Sequence, residues 1–330
     1  MPSPLEGGGR KRNRRRRFLA RPAARRVCKH ATGAPGEGDE ENSDLRIGVI
    51  GVGEMGSAIA GHLRRKSHEV VAFDTNSVRL NAIGALGIAR ADSLEELAAQ
   101  AELFLVIVST DEQSRAVTDT LSRHADDGAL IAVVATNSPN TMVELDKLCR
   151  DRGKRFIDAP VVYGASGARE GTLLSLCGGA EADVDFATPA LMAYSRKVLR
   201  VGPVGAGQLA KACNNLLHWV HCVSNYETLL LAKRFGVDAQ HMREVLLECP
   251  AFNLTLKRWD TTKFTWQEKD MDVTMDLAQQ AGLVLPLAGV TDQLVKLLSA
   301  QDVQSLLYGN GCTYLGRSIT PMSAEEGGLS

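Results

Sequence analysis

The sequence predicts an α/β fold, a doubly wound parallel sheet followed by an all-helical domain. Three observations predict it. Strand-length apolar runs alternate with helix-like segments from residue 45 to about 205. A glycine-rich turn joins the first strand to the first helix. From residue 208 onward the pattern is helical throughout, with no convincing strand. Alternation of this kind is the mark of a parallel sheet with helical crossovers.

The first unit is LRIGVIGVGEMGSAIAGHL, residues 45–63. Its strand runs from Leu45 to Ile50 and its turn is Gly51-Val52-Gly53-Glu54-Met55-Gly56, a GxGxxG. Gly51 permits the tight turn, Gly53 lets backbone approach a pyrophosphate at the helix amino end, and Gly56 lets helix and strand pack closely. The motif gains weight from the strand before it and the helix after it. The fold is therefore Rossmann-like.

EVVAFD, 69–74, is the second strand and ends in Asp74, with Thr75 beside it. Asp74 lies 23 residues beyond Gly51, where an acid grips the adenosine ribose. A carboxylate there repels a 2′-phosphate, so NAD is expected. The nearby Arg79 leaves NADP open, and Asp74 capping a turn in DTNS is the alternative. The units continue with helix 93–100, strand 103–110, helix 113–124, strand 129–136, helix 140–153 and strand 156–164. Ligands bind beyond the carboxyl ends of such strands, which places Val108, Ser109 and Thr136 near the cofactor. The later helical segments are 208–236, 238–249 and 285–298.

Composition is ordinary for a globular protein, with 44% hydrophobic and 23% charged residues among 330. No apolar run approaches the ~20 residues of a membrane span, so no membrane partner is expected. The net charge of −1 hides an asymmetry. Residues 1–36 carry eleven Lys or Arg against one acid, Glu6, a net +10, which leaves −11 for the remainder. The Arg-, Gly- and Pro-rich residues 1–44 are expected to be a disordered basic tail. RRRFLA, 15–20, resembles a twin-arginine export signal but lacks the apolar segment that should follow. The acid-poor composition also suits a mitochondrial transit peptide; otherwise the location is expected to be cytoplasmic. A tail of little function is favoured over a nucleic-acid-binding arm, because an Arg run alone is a weak signal. Seven cysteines without a CxxC pair fit a reduced protein.

Four blocks, in order, resemble the β-hydroxyacid dehydrogenase family, the group around 3-hydroxyisobutyrate dehydrogenase. They are GVGEMGSAIAGHL at 51–63, DAPVVYGASGAREGTLLSLCGG at 158–179, GPVGAGQLAKACNN at 202–215 and WQEKDMDVTMDLAQQAGLVLPL at 266–287. The resemblance implies a nucleotide-binding domain over 45–205, an all-helical domain over 206–308 and a flexible tail over 309–330. It implies a homodimer or homotetramer acting on a small hydroxy acid or its semialdehyde.

The resemblance makes Lys211 the catalytic lysine and Asn215 its neighbour. At i and i+4 they share one helix face. Lys211 would take or return the hydroxyl proton while hydride moves to or from the nicotinamide. Lys269 and Asp270 resemble the family's pair that reaches the nicotinamide end, Lys269 on the cofactor and Asp270 on the substrate. Most members carry Ser-Gly-Gly in the substrate loop, where this chain has Val162, Tyr163 and Gly164. That departure disfavours a small, highly polar substrate. His218, Trp219, His221 and Phe252 are candidates for a roomier pocket or for core. His218 and His221 lack a third ligand, so no metal is expected. Decarboxylating 6-phosphogluconate enzymes carry a histidine where this chain has Asn214, and imine reductases generally lack the lysine. A catalytically weak nucleotide-binding module with a nucleic-acid-binding tail is the remaining alternative.

Overall fold

A computed structural model describes residues 45–329. The expectations for residues 1–44 lie outside these. The alternating units are β1 (Arg46–Ile50), α1 (Glu54–Arg65), β2 (Glu69–Phe73), α2 (Ser77–Gly84), β3 (Ala89–Arg90), α3 (Leu94–Ala98), β4 (Leu103–Val106), α4 (Asp111–His124), β5 (Leu130–Val133), α5 (Pro139–Asp151) and β6 (Arg155–Asp158). Helix starts follow local chemistry. Asn76, Ser93 and Thr110 cap α2, α3 and α4 by accepting from the backbone of the first turn.

The strands pair in the order β3-β2-β1-β4-β5-β6, all parallel. Their side chains alternate between two cores, as a period of two requires. Ile47, Val49, Leu103, Leu105, Leu130 and Ala132 face one core. Phe104, Val106, Ile131 and Val133 face the other. Both faces are covered by helices, which is why these strands read as continuous apolar runs. The order reverses between β1 and β4, so their carboxyl ends open a crevice.

The expected single strand over 156–164 is broken. β6 stops at Asp158, Pro160 interrupts, and β7 (Val161–Val162) is a separate two-residue strand. Proline has no N–H to give a ladder. After α6 (Gly164–Glu170), β8 (Leu173–Gly178) runs antiparallel to β6 and β7, then α7 (Glu181–Met192) leads to β9 (Ser195–Gly202), parallel to β8. The sheet is thus mostly parallel with an antiparallel seam.

α8 (Ala206–Arg234) is 29 residues long, about 43 Å at 1.5 Å per residue. Its beginning packs on β8 and β9, and it also packs on α9 (Ala239–Leu247), α10 (Leu254–Lys257), α11 (Gln267–Gln280), α12 (Pro286–Val295) and α13 (Ala300–Tyr308). Trp219, Tyr226 and Trp259 anchor this third core. None of the described helices is long and apolar enough to cross a membrane.

Residues 309–329, expected to be a flexible tail, carry a hairpin and a short helical turn. β10 (Cys312–Tyr314) and β11 (Arg317–Ile319) form a hairpin, turned at Leu315 and Gly316, both with positive φ. Tyr226 donates to Thr313 O at 3.2 Å, and the amides of Met322 and Leu329 donate to Arg234 O at 2.8 Å and Phe235 O at 2.9 Å. Cys312 and Ile319 join the third core. Strands of three residues are too short to show a period, so sequence reading passed over them.

Candidate active site

At the glycine turn the structure separates three roles. A Cβ on Gly51 (φ +90°) would stand 2.4 Å from Ile107 O, and one on Gly56 would stand 1.9 Å from Gly51 O. No side chain fits at either position. A Cβ on Gly53 meets nothing nearer than an Arg79 guanidinium nitrogen at 3.9 Å. Gly53 therefore faces open space. No side chain caps the amino end of α1, so its first N–H groups suit an anion. Glu54 pairs with Arg169 at 2.8 Å, both exposed. Met55 packs against the first core.

Asp74 accepts from Val52 N and from Asn76 N, each at 2.8 Å. It ties the glycine turn to the end of β2 and shapes the turn before α2, with Thr75 between. Both expected roles of Asp74 are compatible with this position.

Lys269, near the start of α11, donates to Ser109 O at 2.6 Å and Thr136 O at 2.9 Å. It bridges the loops after β4 and β5, beyond the carboxyl ends of both strands. Val108 packs beneath on the second core. Burial lowers the Lys269 pKa, and the charges of Asp111 and Asp270 oppose that shift.

Lys211 is part-buried on α8 and donates to Val161 O at 2.8 Å. Asn215 and Trp219 follow at successive turns on the same face, both buried. The Trp219 indole donates to Asp270 Oδ2 at 3.1 Å. Asp270 makes no ion pair within 4 Å among the described residues. Its pKa is raised by burial against the Lys211 charge and hydrogen bonds from Trp219 and Asn215. Burial lowers the pKa of Lys211, Lys269 adds to the fall, and Asp270 opposes it. An amine shifted in this direction gives up a proton more readily than a solvated lysine. His218 bonds Thr255 Oγ1 at 3.0 Å, and burial presses its pKa down to about 4, so it is neutral at pH 7. Phe252 is exposed.

Two family models match the chain in series. The NAD binding domain of 6-phosphogluconate dehydrogenase matches residues 46–202. The NAD-binding region of NADP-dependent 3-hydroxyisobutyrate dehydrogenase matches residues 205–306. A probable 3-hydroxyisobutyrate dehydrogenase of Mycobacterium bovis is 32% identical, covering 61% of this chain and 68% of that protein. The chain belongs to the β-hydroxyacid dehydrogenase family. An NAD-dependent L-serine dehydrogenase of Pseudomonas aeruginosa is 25% identical, covering 78% of this chain and 93% of the relative. The solved 3-hydroxyisobutyrate dehydrogenase of Mycobacterium tuberculosis with L-serine is 25% identical, with a TM-score of 0.74 over 80% of this chain and 99% of that one. The protein is an NAD(P)-dependent dehydrogenase of this family, with its two family models covering both the sheet and the helical half.

The backbone is unusual just after β7, in the segment expected to be the substrate loop. Tyr163 adopts a left-handed backbone (φ +85°, ψ 2°), and Gly164 follows at φ +57°. For a residue with a Cβ this costs about 1–3 kcal/mol and persists only where the surroundings impose it. Here they do. The Arg196 guanidinium lies 4.5 Å over the Tyr163 ring and donates to its hydroxyl. The ring packs on the first core. The phenol thus engages β9 rather than Lys211, and Val162 beside it is buried.

Three residues of this dehydrogenase escaped the sequence reading. Asp158 accepts from the first turn of α8. Gln208 donates to Ala135 O at 2.7 Å and accepts from Asn137 N at 3.0 Å, binding α8 to the loop after β5. Asp111 accepts from Asn137, Ser138 and Thr141. Burial alone would raise the Asp111 pKa, but these bonds and the Lys269 charge hold it low. Their partners lie 26–73 residues away in sequence, and no local pattern announces them.

Proposed function

We propose that the enzyme interconverts a 3-hydroxy acid, or a related alcohol, and its aldehyde or ketone, with Lys211 moving the hydroxyl proton. The observation that carries this is the placement of Lys211. Its ammonium stands against the Val161 carbonyl at the root of the substrate loop, with Asn215 one turn on and Asp270 opposite. The nicotinamide cofactor, when bound, supplies or accepts the hydride. The α1 amino end, Gly53 and Asp74 would hold its pyrophosphate and ribose, and Lys269 its nicotinamide end. Asp74 favours NAD over NADP because a carboxylate repels a 2′-phosphate.

During oxidation the neutral amine of Lys211 accepts the hydroxyl proton. During reduction its ammonium returns a proton to the forming alkoxide. Asn215 orients substrate or lysine by hydrogen bonding. The N–H groups of Tyr163 and Gly164 hold the substrate carboxylate in place of the missing serine hydroxyl. With Val162 there, a substrate less polar than L-serine is favoured. The test is a panel of hydroxy acids, from L-serine and 3-hydroxyisobutyrate to bulkier 3-hydroxy acids, with NAD and NADP reduction followed. Turnover with NAD and a less polar acid is expected. No turnover on any member, together with salt-dependent DNA binding through residues 10–29, would instead favour the nucleotide-binding module.

The same reading includes a homodimer or homotetramer. Leu287 and Val290 on α12, with Val284 just before it, are 64%, 56% and 87% exposed. Leu217 and Leu231 on the neighbouring α8 are also exposed. Leu287 and Val290 at i and i+3 share one helix face, and a second copy of the chain would cover it. Light scattering should give at least twice the chain mass, and Val284→Lys with Leu287→Lys should lower it. A wild-type monomer mass rules this out.

A further inference from the structure

Helix α8 has no side-chain cap of its own. Its N-cap is Gly205, with φ +90°. The cap comes from 50 residues earlier. Asp158, at the last position of β6 and 0% exposed, accepts from Gly205 N at 2.6 Å through Oδ1 and from Gln208 N at 2.8 Å through Oδ2. The fit is tight on both sides. A Cβ on Gly178 would fall 2.3 Å from Oδ1, and one on Gly207 would fall 2.6 Å from Oδ2. Three residues further along the same segment, Val161 O accepts from Lys211. Residues 158–161 thus grip α8 twice, at Gln208 and at Lys211, one turn apart.

We infer that Asp158 is a positioning residue: its carboxylate fixes the first turn of α8 and thereby the place at which Lys211 meets the substrate loop. The inference rests on the reading of Lys211 as the proton-transfer group. A buried carboxylate with no paired cation is costly, and a serine or asparagine would cap a helix well enough. What the carboxylate adds is two acceptors, held in one plane and directed at two separate N–H groups. Burial raises its pKa to about 6 against the pull of the Gly205, Gln208 and Gly207 amides. The titratable side chain beside it is neutral: the Cys177 thiol on β8, which burial pushes up to about 12. Val133, its partner on β5, is apolar. As pH falls through about 6 the protonated oxygen presents a hydrogen to an N–H donor, and the turn loosens.

Asp158→Asn tests this, because it keeps the shape and turns one acceptor into a donor. Cofactor affinity should stay near the wild-type value. kcat should fall by about 10²-fold, the size of effect a small misplacement of a reacting group produces. The wild-type kcat profile should show an acid limb near pH 6 that Asp158→Asn abolishes and Asp270→Asn retains. Lys211 should be modified faster by an amine reagent, read by mass spectrometry, as it leaves Val161 O. That labelling separates two failures. Faster labelling with unchanged kcat supports the positioning and sinks the lysine's catalytic role. Unchanged labelling with the acid limb retained overturns the positioning itself. Should the variant fail to fold, a wild-type profile without a limb near pH 6 overturns it alone.

Discussion

Replacing Lys211 by alanine should lower kcat by about 10²–10⁴-fold, the usual worth of a positioned acid–base group. Cofactor affinity should change little, because Lys211 contacts the substrate-loop carbonyl of Val161 rather than the glycine turn. The pH dependence has a definite sign. Burial lowers the Lys211 pKa, so the neutral amine is available at a lower pH than for a solvated lysine. Oxidation should therefore rise with pH along a limb lying below the ordinary lysine value, and reduction should fall along the same limb. Lys211→Arg should not restore turnover, since a guanidinium remains protonated. A small primary amine added to Lys211→Ala should restore part of the rate. Turnover by Lys211→Ala within a few-fold of wild type would remove the lysine from the mechanism.

The part of this site that could be read in the sequence is the part carried by local spacing. A strand, GxGxxG and a helix are contiguous, so the turn and its helix were legible from residues 45–63. Lys211 and Asn215 lie one turn apart, so their shared face followed from helix geometry alone. Strand ends were legible because apolar runs such as LFLVIV, 103–108, stop at polar residues, which placed Ser109 and Thr136 at the crevice. The hidden features are those in which distant segments meet. Asp158 reads as a polar residue inside a strand, and only the fold shows that it ends β6 and caps a helix 50 residues later. Lys269 is singled out by the resemblance alone, since its own spacing reads as the first turn of a helix, and only the fold brings it to carbonyls 160 and 133 residues away. The Tyr163 ring was visible as a departure, but its direction was not. It depends on Arg196, 33 residues away across β8 and β9.

Alanine at Gly56 should damage the protein more than alanine at Gly53, and in a different way. At Gly56 the new Cβ would lie 1.9 Å from Gly51 O, which is backbone. Gly51 cannot retreat, since it is itself pressed against Ile107 O and donates to Phe73 O at 2.9 Å. Helix α1 must then lift away from β1 and β4. Overpacking of this kind costs about 1–3 kcal/mol and more where backbone meets backbone, so a clear fall in Tm is expected along with weak cofactor binding. Gly53 is the control. Its φ of −66° and ψ of −162° suit alanine, and no atom but the Arg79 guanidinium lies within 4 Å of the added methyl. The loss of a glycine N-cap costs about 1 kcal/mol or less, so Tm should hardly move. If the pyrophosphate passes over this turn, the methyl intrudes on it and the cofactor Kd should rise at least about tenfold, a cost of ~1.4 kcal/mol. Thermal unfolding and cofactor titration of the two variants distinguish packing from contact. Wild-type affinity in Gly53→Ala would mean that the nucleotide does not cross Gly53 and that the open space above it serves something else.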